Sequence, residues 1–148
     1  MNKIFTVFLT TLLFAQIDFP GDKAVRKGVH AFYNYETADA IVILDIARKD
    51  YPENPTVHLT WAAAKWLHNQ ANATVEQTYI DLENDLKEVI PVYEALVEKN
   101  PNEPNYQLYL GSATGLMARI YLGKKEWLNT LNWAYSGFRV IQKVEEEH

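Results

Sequence analysis

Two stretches of this chain carry side chains whose types and spacing could do chemistry, and both depart from the pattern that the chemistry needs. Asp81-Leu82-Glu83-Asn84-Asp85 places carboxylates at alternate positions, as a calcium-binding loop does. It lacks that loop's glycine at the sixth position and its later glutamate, and its leucines keep a helical period. Gly111-Ser112-Ala113-Thr114-Gly115 approaches the Gly-x-Ser-x-Gly pattern of a nucleophilic serine, but its serine comes one position early and follows no predicted strand. The first stretch therefore predicts no calcium site, and the second predicts no nucleophilic serine.

The other candidate groups for chemistry are the histidines, which do not have the spacing of a metal site. The chain contains no H-E-x-x-H pattern around His30, His58, His68 or His148. It has no cysteine, which excludes disulfides, thiolate ligands and a cysteine nucleophile. Its six glycines are scattered, so no phosphate-binding loop is predicted. We therefore predict no catalytic residue, no metal and no cofactor.

Length, composition and charge indicate one folded domain that does not bind nucleic acid. A chain of 148 residues with 48% hydrophobic and 13% aromatic residues is long and apolar enough to form a continuous core. The formal net charge is −5, and lysine and arginine form no cluster. Because contacts to phosphate groups need clustered basic side chains, this charge distribution argues against a general nucleic-acid binder.

The N-terminus has the pattern of a secretory signal. Met1-Asn2-Lys3 is a short positive region, residues 4–15 form an uncharged apolar run, and Gln16 begins ordinary polar sequence. This run is too short for a transmembrane helix, which needs about 20 residues. We predict a signal peptide over residues 1–15 and an exported protein, located in the periplasm or cell envelope or secreted. The alternative is that this run forms an apolar first helix of the domain.

A proline-containing turn occurs twice and indicates an internal repeat. Residues 51–62 align with residues 100–111 at a constant offset of 49 positions, and both copies contain P-x-x-P followed by apolar and small residues at fixed distances. His58 in the first copy corresponds to Gln107 in the second. This correspondence favours a structural role for His58 over a chemical one.

Apolar periodicity predicts six helices separated by these turns and by capping residues. Two helices precede Pro52, with Thr37 as the predicted cap of the second. The other four are predicted from Pro55 to near Asn69, from the Thr74 capping box through a kink at Pro91, from Pro104 to Gly123, and from near Lys125 onward.

Small residues at regular positions in these helices resemble the tetratricopeptide repeat family. With Pro52 as the closing proline, Gly28, Ala40 and Ala47 occupy the family's three small positions, where paired helices approach closely. The chain departs from the family at Ala31 and Thr37, where the family has aromatic residues. The resemblance, which extends loosely to exported bacterial members, implies an all-α fold. It would be a right-handed α-solenoid of about three antiparallel helix pairs over residues 22–148, with units at 22–53, 54–102 and 103–147.

The resemblance also implies a concave groove, lined by the first helix of each pair, that receives a peptide or helix of another protein. The residues at groove positions would include Phe32, Tyr33, Leu59, Trp66, Leu108 and Ser112. Phe32, Tyr33 and Trp66 are the strongest candidates because aromatic side chains give large contact areas. The alternative for each is a place in the core, which is the usual location of an aromatic residue at helical spacing.

The last helix carries two apolar stripes, and one partner helix cannot cover both. We predict that one stripe packs inward and comprises Trp127, Leu131, Ala134, Phe138 and Ile141. The other, about 100° away around the helix, comprises Trp133, Gly137, Val140 and Val144. We predict an outer interface at Trp133, Val140 and Val144 with another subunit, a partner or further repeats. The alternative is that these are exposed hydrophobic residues without consequence.

The sequence therefore favours a non-enzymatic, exported scaffold that mediates protein–protein interaction or the assembly of an envelope complex. Its partner would be a protein or peptide, or a second copy bound through the last helix. A second hypothesis is a helical carrier that binds a small apolar ligand in an aromatic-rich groove. An enzyme is the least favoured class, because no nucleophile, metal or acid–base constellation is present. The identity of a partner cannot be read from these residues.

Overall fold

The computed structural model describes residues 19–147, with side chains up to residue 142, and in this range the protein is all helical. The predicted signal peptide, residues 1–15, and the side chain of Val144 lie outside the described part. No strand occurs between residues 19 and 147, which confirms the all-α prediction. The six helices are α1 (Asp22–Tyr33), α2 (Thr37–Asp50), α3 (Pro55–Asn72), α4 (Val75–Lys99), α5 (Pro104–Gly123) and α6 (Trp127–Glu147).

Helices that follow one another in the chain pack against each other, as in a helical repeat. Each helix from α1 to α5 contacts the next one along the chain. In addition, α1 contacts α3, and α3 contacts α5, so the first helices of the three pairs form a layer of their own. Within the described residues, α6 contacts α5 alone. This arrangement leaves α6 at one end of the stack with a single neighbour.

Small residues occupy points where helices cross, among them Gly28, which the sequence placed at such a crossing. A Cβ atom at Gly28 would lie 2.6 Å from Cγ of Leu44, where α1 crosses α2. A Cβ atom at Gly111 would lie 2.7 Å from Cγ1 of Ile141, where α5 meets α6. Ala62 is fully buried. Larger side chains at these points would push the helices apart, because protein interiors leave no spare volume.

The two proline turns share their hydrogen bonding as well as their sequence. His58 donates from Nε2 to the carbonyl oxygen of Pro52 at 2.8 Å, and Gln107 donates from Nε2 to that of Pro101 at 2.5 Å. In each case the bond reaches back six residues into the turn. The second polar atom of each side chain, Nδ1 of His58 and Oε1 of Gln107, is buried and has no hydrogen-bond partner within the described residues. The predicted structural role of His58 is therefore confirmed.

The caps of the helices after the turns also correspond. Asn54 accepts a hydrogen bond from the backbone N–H of Thr56, and Glu103 accepts one from Asn105. The predicted cap at Thr74 is confirmed by its bond from the N–H of Gln77. The predicted cap at Thr37 was wrong.

The difference at Thr37 has a tertiary cause. Its hydroxyl oxygen lies 3.0 Å from Nδ1 of His68, so this side chain links α2 to α3 instead of closing the first turn of α2. Helix α3 continues to Asn72, three residues beyond the predicted end near Asn69. Helix α4 continues through the exposed Pro91 to Lys99.

Burial lowers the pKa of His58 below its ordinary value of 6.5. The unfolded chain therefore binds a proton at this site before the folded protein does, so stability is fully present above pH 6.5 and declines as the pH falls below it. We expect His58→Gln, which introduces the residue of the other copy, to remove this part of the pH dependence, at most about 1.4 kcal/mol per pH unit. The free energy of unfolding, measured with denaturant at several pH values between 5 and 7.5, gives this pH dependence. His30→Gln, an exposed control on α1, should leave the wild-type pH profile unchanged, and an unchanged profile in His58→Gln would contradict the prediction.

A buried tryptophan with two cations joins α2, α3 and α4. The guanidinium carbon of Arg48 lies 3.8 Å from the ring centre of Trp61, and Nζ of Lys65 lies 4.4 Å from it. Arg48 also pairs with Glu88 of α4 at 2.5 Å, and Lys65 pairs with the buried Asp85 of the same helix. Each cation therefore contacts both the aromatic ring and a carboxylate, which fixes the three helices around Trp61.

Candidate functional site

One face of α5 is exposed from Leu108 to Leu122 and forms a strip along the helix. Its residues recur at three and four positions, which places them within one narrow strip of the helix surface. All of them are exposed: Leu108, Ser112, Gly115, Arg119 and Leu122. A Cβ atom at Gly115 would meet no other atom within 4 Å, and the hydroxyl of Ser112 is turned to the carbonyl oxygen of Leu108. The strip therefore has small residues in its middle and a leucine at each end.

A cleft of about 300 Å³ lies beside the last turns of this strip, between α3, α4 and α5. Trp66 forms one wall, and the guanidinium carbon of Arg119 lies 5.5 Å from the Trp66 ring centre. The cleft is lined by Trp66, Gln70, Ala73, Val75, Thr78, Tyr79 and Arg119. A flat aromatic wall, an amide and a cation together suit a group that has both an apolar body and a negative charge.

An acidic residue of α4 fixes the helices around the cleft. Glu83 accepts hydrogen bonds from Lys124, from the hydroxyl of Tyr121 at 3.0 Å, and from Lys87 at 2.7 Å. The hydrogen bond from Lys124, followed by that from Lys87, lowers the pKa of the Glu83 carboxyl to about 2. One turn earlier in α4, the ring of Tyr79 packs on Gly123 at the end of α5, where an added Cβ would lie 2.8 Å from the ring. These contacts join α4 to the end of α5 beside the cleft.

The six predicted groove residues do not form one continuous site. Leu108 and Ser112 lie on the exposed strip of α5, and Trp66 lines the cleft beside it. Leu59 is half-buried against the core. Phe32 is also half-buried, and Tyr33 is exposed next to it with the two ring centres 5.3 Å apart at the end of α1. Neither Phe32 nor Tyr33 lines the cleft.

Helix α6 presents a second uncovered surface, which we call the α6 face. It consists of large apolar side chains that are 61 to 79% exposed: Trp127, Leu128, Leu131, Tyr135 and Phe138. Their spacing of three and four residues places them along one side of the helix. The opposite side packs against α5 and the core through the buried Gly137 and the half-buried Trp133 and Val140.

The orientation that the sequence gave to the two stripes of α6 is therefore reversed. Trp133 and Val140, expected in the outer interface, pack inward, whereas Trp127, Leu131, Ala134 and Phe138, expected inward, are exposed. Ile141, also expected inward, is 46% exposed but packs on Gly111 of α5. Close approach of the helix backbones decides the rotation. A Cβ at Gly137 would lie 3.2 Å from the carbonyl oxygen of Gly111 and 2.8 Å from Oγ1 of Thr114, so the glycine side of α6 must face α5.

Comparison with protein-family models, curated proteins and solved structures found no match to this chain.

No group of three or more histidine, aspartate or glutamate residues in the part of the chain that the structure describes is placed to hold a metal ion. In the same part of the chain, no helix combines the length and hydropathy needed to cross a bilayer.

Arg119 is the one residue of the cleft that sequence reasoning missed and that brings a charge to it. Its position was available from the sequence, because it follows Ser112 by seven residues and Gly115 by four and so lies on the same strip. Its stacking on Trp66 was not available, since that contact depends on how α3 and α5 pack.

Proposed function

We propose that this protein is a non-enzymatic helical-repeat scaffold that binds a segment of another protein along α5, and that it acts after export to the cell envelope. The observation that carries the proposal is the uncovered strip of α5, with its open centre at Ser112 and Gly115 and its apolar ends. A helix surface with small central residues lets an extended or helical segment approach the backbone closely. Leu108 and Leu122 would contact apolar residues at the two ends of such a segment.

The cleft at Trp66 and Arg119 adds specificity to this strip. The Arg119 guanidinium stacks on Trp66 and makes no ion pair with any residue that the structure describes. It can therefore receive a carboxylate from a bound segment. A segment with an apolar or aromatic side chain next to an acidic one therefore fits the end of the strip best. The resemblance to tetratricopeptide repeats supports the same role, since the first helices of such repeats carry their binding residues.

The test is photo-crosslinking from the centre of the strip. A photoreactive residue at Ser112, in cells that produce the protein, should give an adduct with a different protein, and the same residue at exposed Glu94 of α4 should not. Gly115→Phe should abolish the adduct by placing a large side chain at the centre of the strip, with little effect on the fold because a Cβ there meets no atom within 4 Å. Gly115→Ala is the matched control and should keep the adduct. Equal adducts from positions 112 and 94, or an adduct that survives Gly115→Phe, would contradict the proposal.

A second candidate function is favoured by the cleft itself. Its volume of about 300 Å³ is at the lower end for small-molecule sites, and Trp66 and Tyr79 supply aromatic surface. The aromatic residues of the sequence predict an apolar ligand, but Arg119 suits an anionic one. Native mass spectrometry of the purified protein distinguishes the two functions: a carrier retains a small ligand that Arg119→Ala releases, whereas a scaffold has the mass of its chain alone.

A further inference from the structure

The α6 face is a large exposed apolar surface. With about 200 Å² for each large side chain, Trp127, Leu128, Leu131, Tyr135 and Phe138 together expose roughly 650 Å². That is comparable with the largest exposed apolar patches of ordinary monomers, about 300–600 Å², which often have a function. The exposed area of the face also approaches the area that each partner contributes to a stable protein–protein interface, about 800 Å². One further helix with a similar face would cover it.

The five residues that define the α6 face carry no charge. Residues 127–138 contain no aspartate, glutamate, lysine or arginine. The exposed Arg139 follows them, and its guanidinium carbon lies 5.9 Å from the ring centre of Tyr135. Charged groups are depleted from the centres of interfaces because burying an unpaired charge is costly. A second copy has the same uncharged centre, so pairing the two buries apolar area, and Arg139 lies at the end of each face.

The order of side chains along the α6 face suits pairing with itself in the antiparallel direction. An aromatic residue stands at each end, Trp127 and Phe138, with Leu131 and Tyr135 between them. If two copies of α6 run antiparallel about a two-fold axis near residue 132, Trp127 of each copy meets Phe138 of the other. Leu131 then meets Tyr135 of the other copy. Such an interface is closed and isologous, the commonest form of oligomer.

We infer that the protein is a homodimer in which the α6 faces of two copies pair antiparallel. This inference concerns a different helix surface from the peptide strip of α5 and does not depend on it. Its consequence is that each assembly carries two copies of that strip, so a partner with two binding segments is held much more tightly than one with a single segment.

The first test is the mass of the full chain in sedimentation equilibrium. We expect a dimer of twice the chain mass, and we expect Leu131→Arg to weaken it by roughly 100-fold, because it places an unpaired charge in the centre of the interface. Ser136→Arg is the matched control: it adds the same charge at an exposed position of α6 about 140° around the helix from Leu131, and it should leave the dimer intact. Circular dichroism should give equal helicity for all three proteins, which separates loss of pairing from loss of fold.

The second test reports the direction of pairing and uses the absence of natural cysteines. Under oxidation, a mixture of Trp127→Cys and Phe138→Cys chains should form a disulfide between the two variants, and neither variant alone should form one. A disulfide within either variant alone would overturn the antiparallel arrangement. The inference of a dimer would be overturned if the wild-type protein were a monomer, including one whose α6 face binds a different protein or another segment of its own chain. It would also be overturned if Leu131→Arg left the dimer unchanged.

Discussion

Replacing Trp61 with alanine is expected to lower the free energy of unfolding by about 3–5 kcal/mol, the range found for large aromatic residues in cores. Trp61 is only 5% exposed and lies between Arg48 and Lys65, whose cations contact its ring. Removing the ring leaves a cavity and also removes the surface against which both cations are held. Urea unfolding followed by circular dichroism measures the change.

A matched substitution on the same helix separates this effect from the loss of a tryptophan in general. Trp66, five positions later, lines the cleft and is only half-buried. Because part of its ring already faces water, Trp66→Ala should cost about 1–2 kcal/mol. Equal losses from the two substitutions would show that Trp61 does not form the junction of α2, α3 and α4 that its contacts indicate.

Adding one methyl group at Gly137 is expected to loosen the packing of α6 on α5. A Cβ there would lie 3.2 Å from the carbonyl oxygen of Gly111 and 3.3 Å from the backbone nitrogen of Gly115. Backbone atoms cannot rotate away as a side chain can, so the two helices must separate, at a cost of about 1–3 kcal/mol. Since α6 contacts α5 alone within the described residues, the other helices should keep their stability.

Hydrogen exchange resolved by peptide measures this prediction. In Gly137→Ala, amide protons of residues 127–141 should exchange faster while those of α1 to α4 keep their protection. Gly115→Ala is the control, because a Cβ at that glycine meets no atom within 4 Å. Alanine should there stabilise α5 by about 0.5–1 kcal/mol, through its higher helix propensity. If both glycine variants loosened α6 to the same extent, the close crossing would not be what holds it.

The repeat and its turns were predictable from the sequence because they depend on local chemistry. Each turn has a proline at the first helical position, an amide or carboxylate cap before it and a small residue at a fixed distance after it. These features act within one or two turns of chain. The correspondence of His58 with Gln107 was visible as an alignment, and the structure gives both side chains the same bond to a turn carbonyl. The cap at Thr37 failed because His68, from the next helix, binds its hydroxyl.

The candidate site was predictable only in part, for the same reason. Leu108 and Ser112 share a strip because they lie on one helix at a spacing of four residues, and the sequence alone fixes that relation. Whether Phe32 and Tyr33 join Trp66 depends on how α1 and α3 are placed side by side. Arg119 stacks on Trp66 although the two lie more than fifty positions apart, and no periodicity within one helix predicts such a contact.

The sequence by itself determined that this protein consists of helices and that two of the connections between them are equivalent proline turns. Those features follow from side-chain periodicity and caps. It also determined that α6 has two apolar sides. Only the tertiary structure decided which side is exposed. Helical periodicity fixes the angle between two stripes but leaves the rotation of the helix free, and the contact of Gly137 with the backbone of α5 sets that rotation. The surface available for binding on α6 is consequently the one that carries Trp127, Leu131 and Phe138.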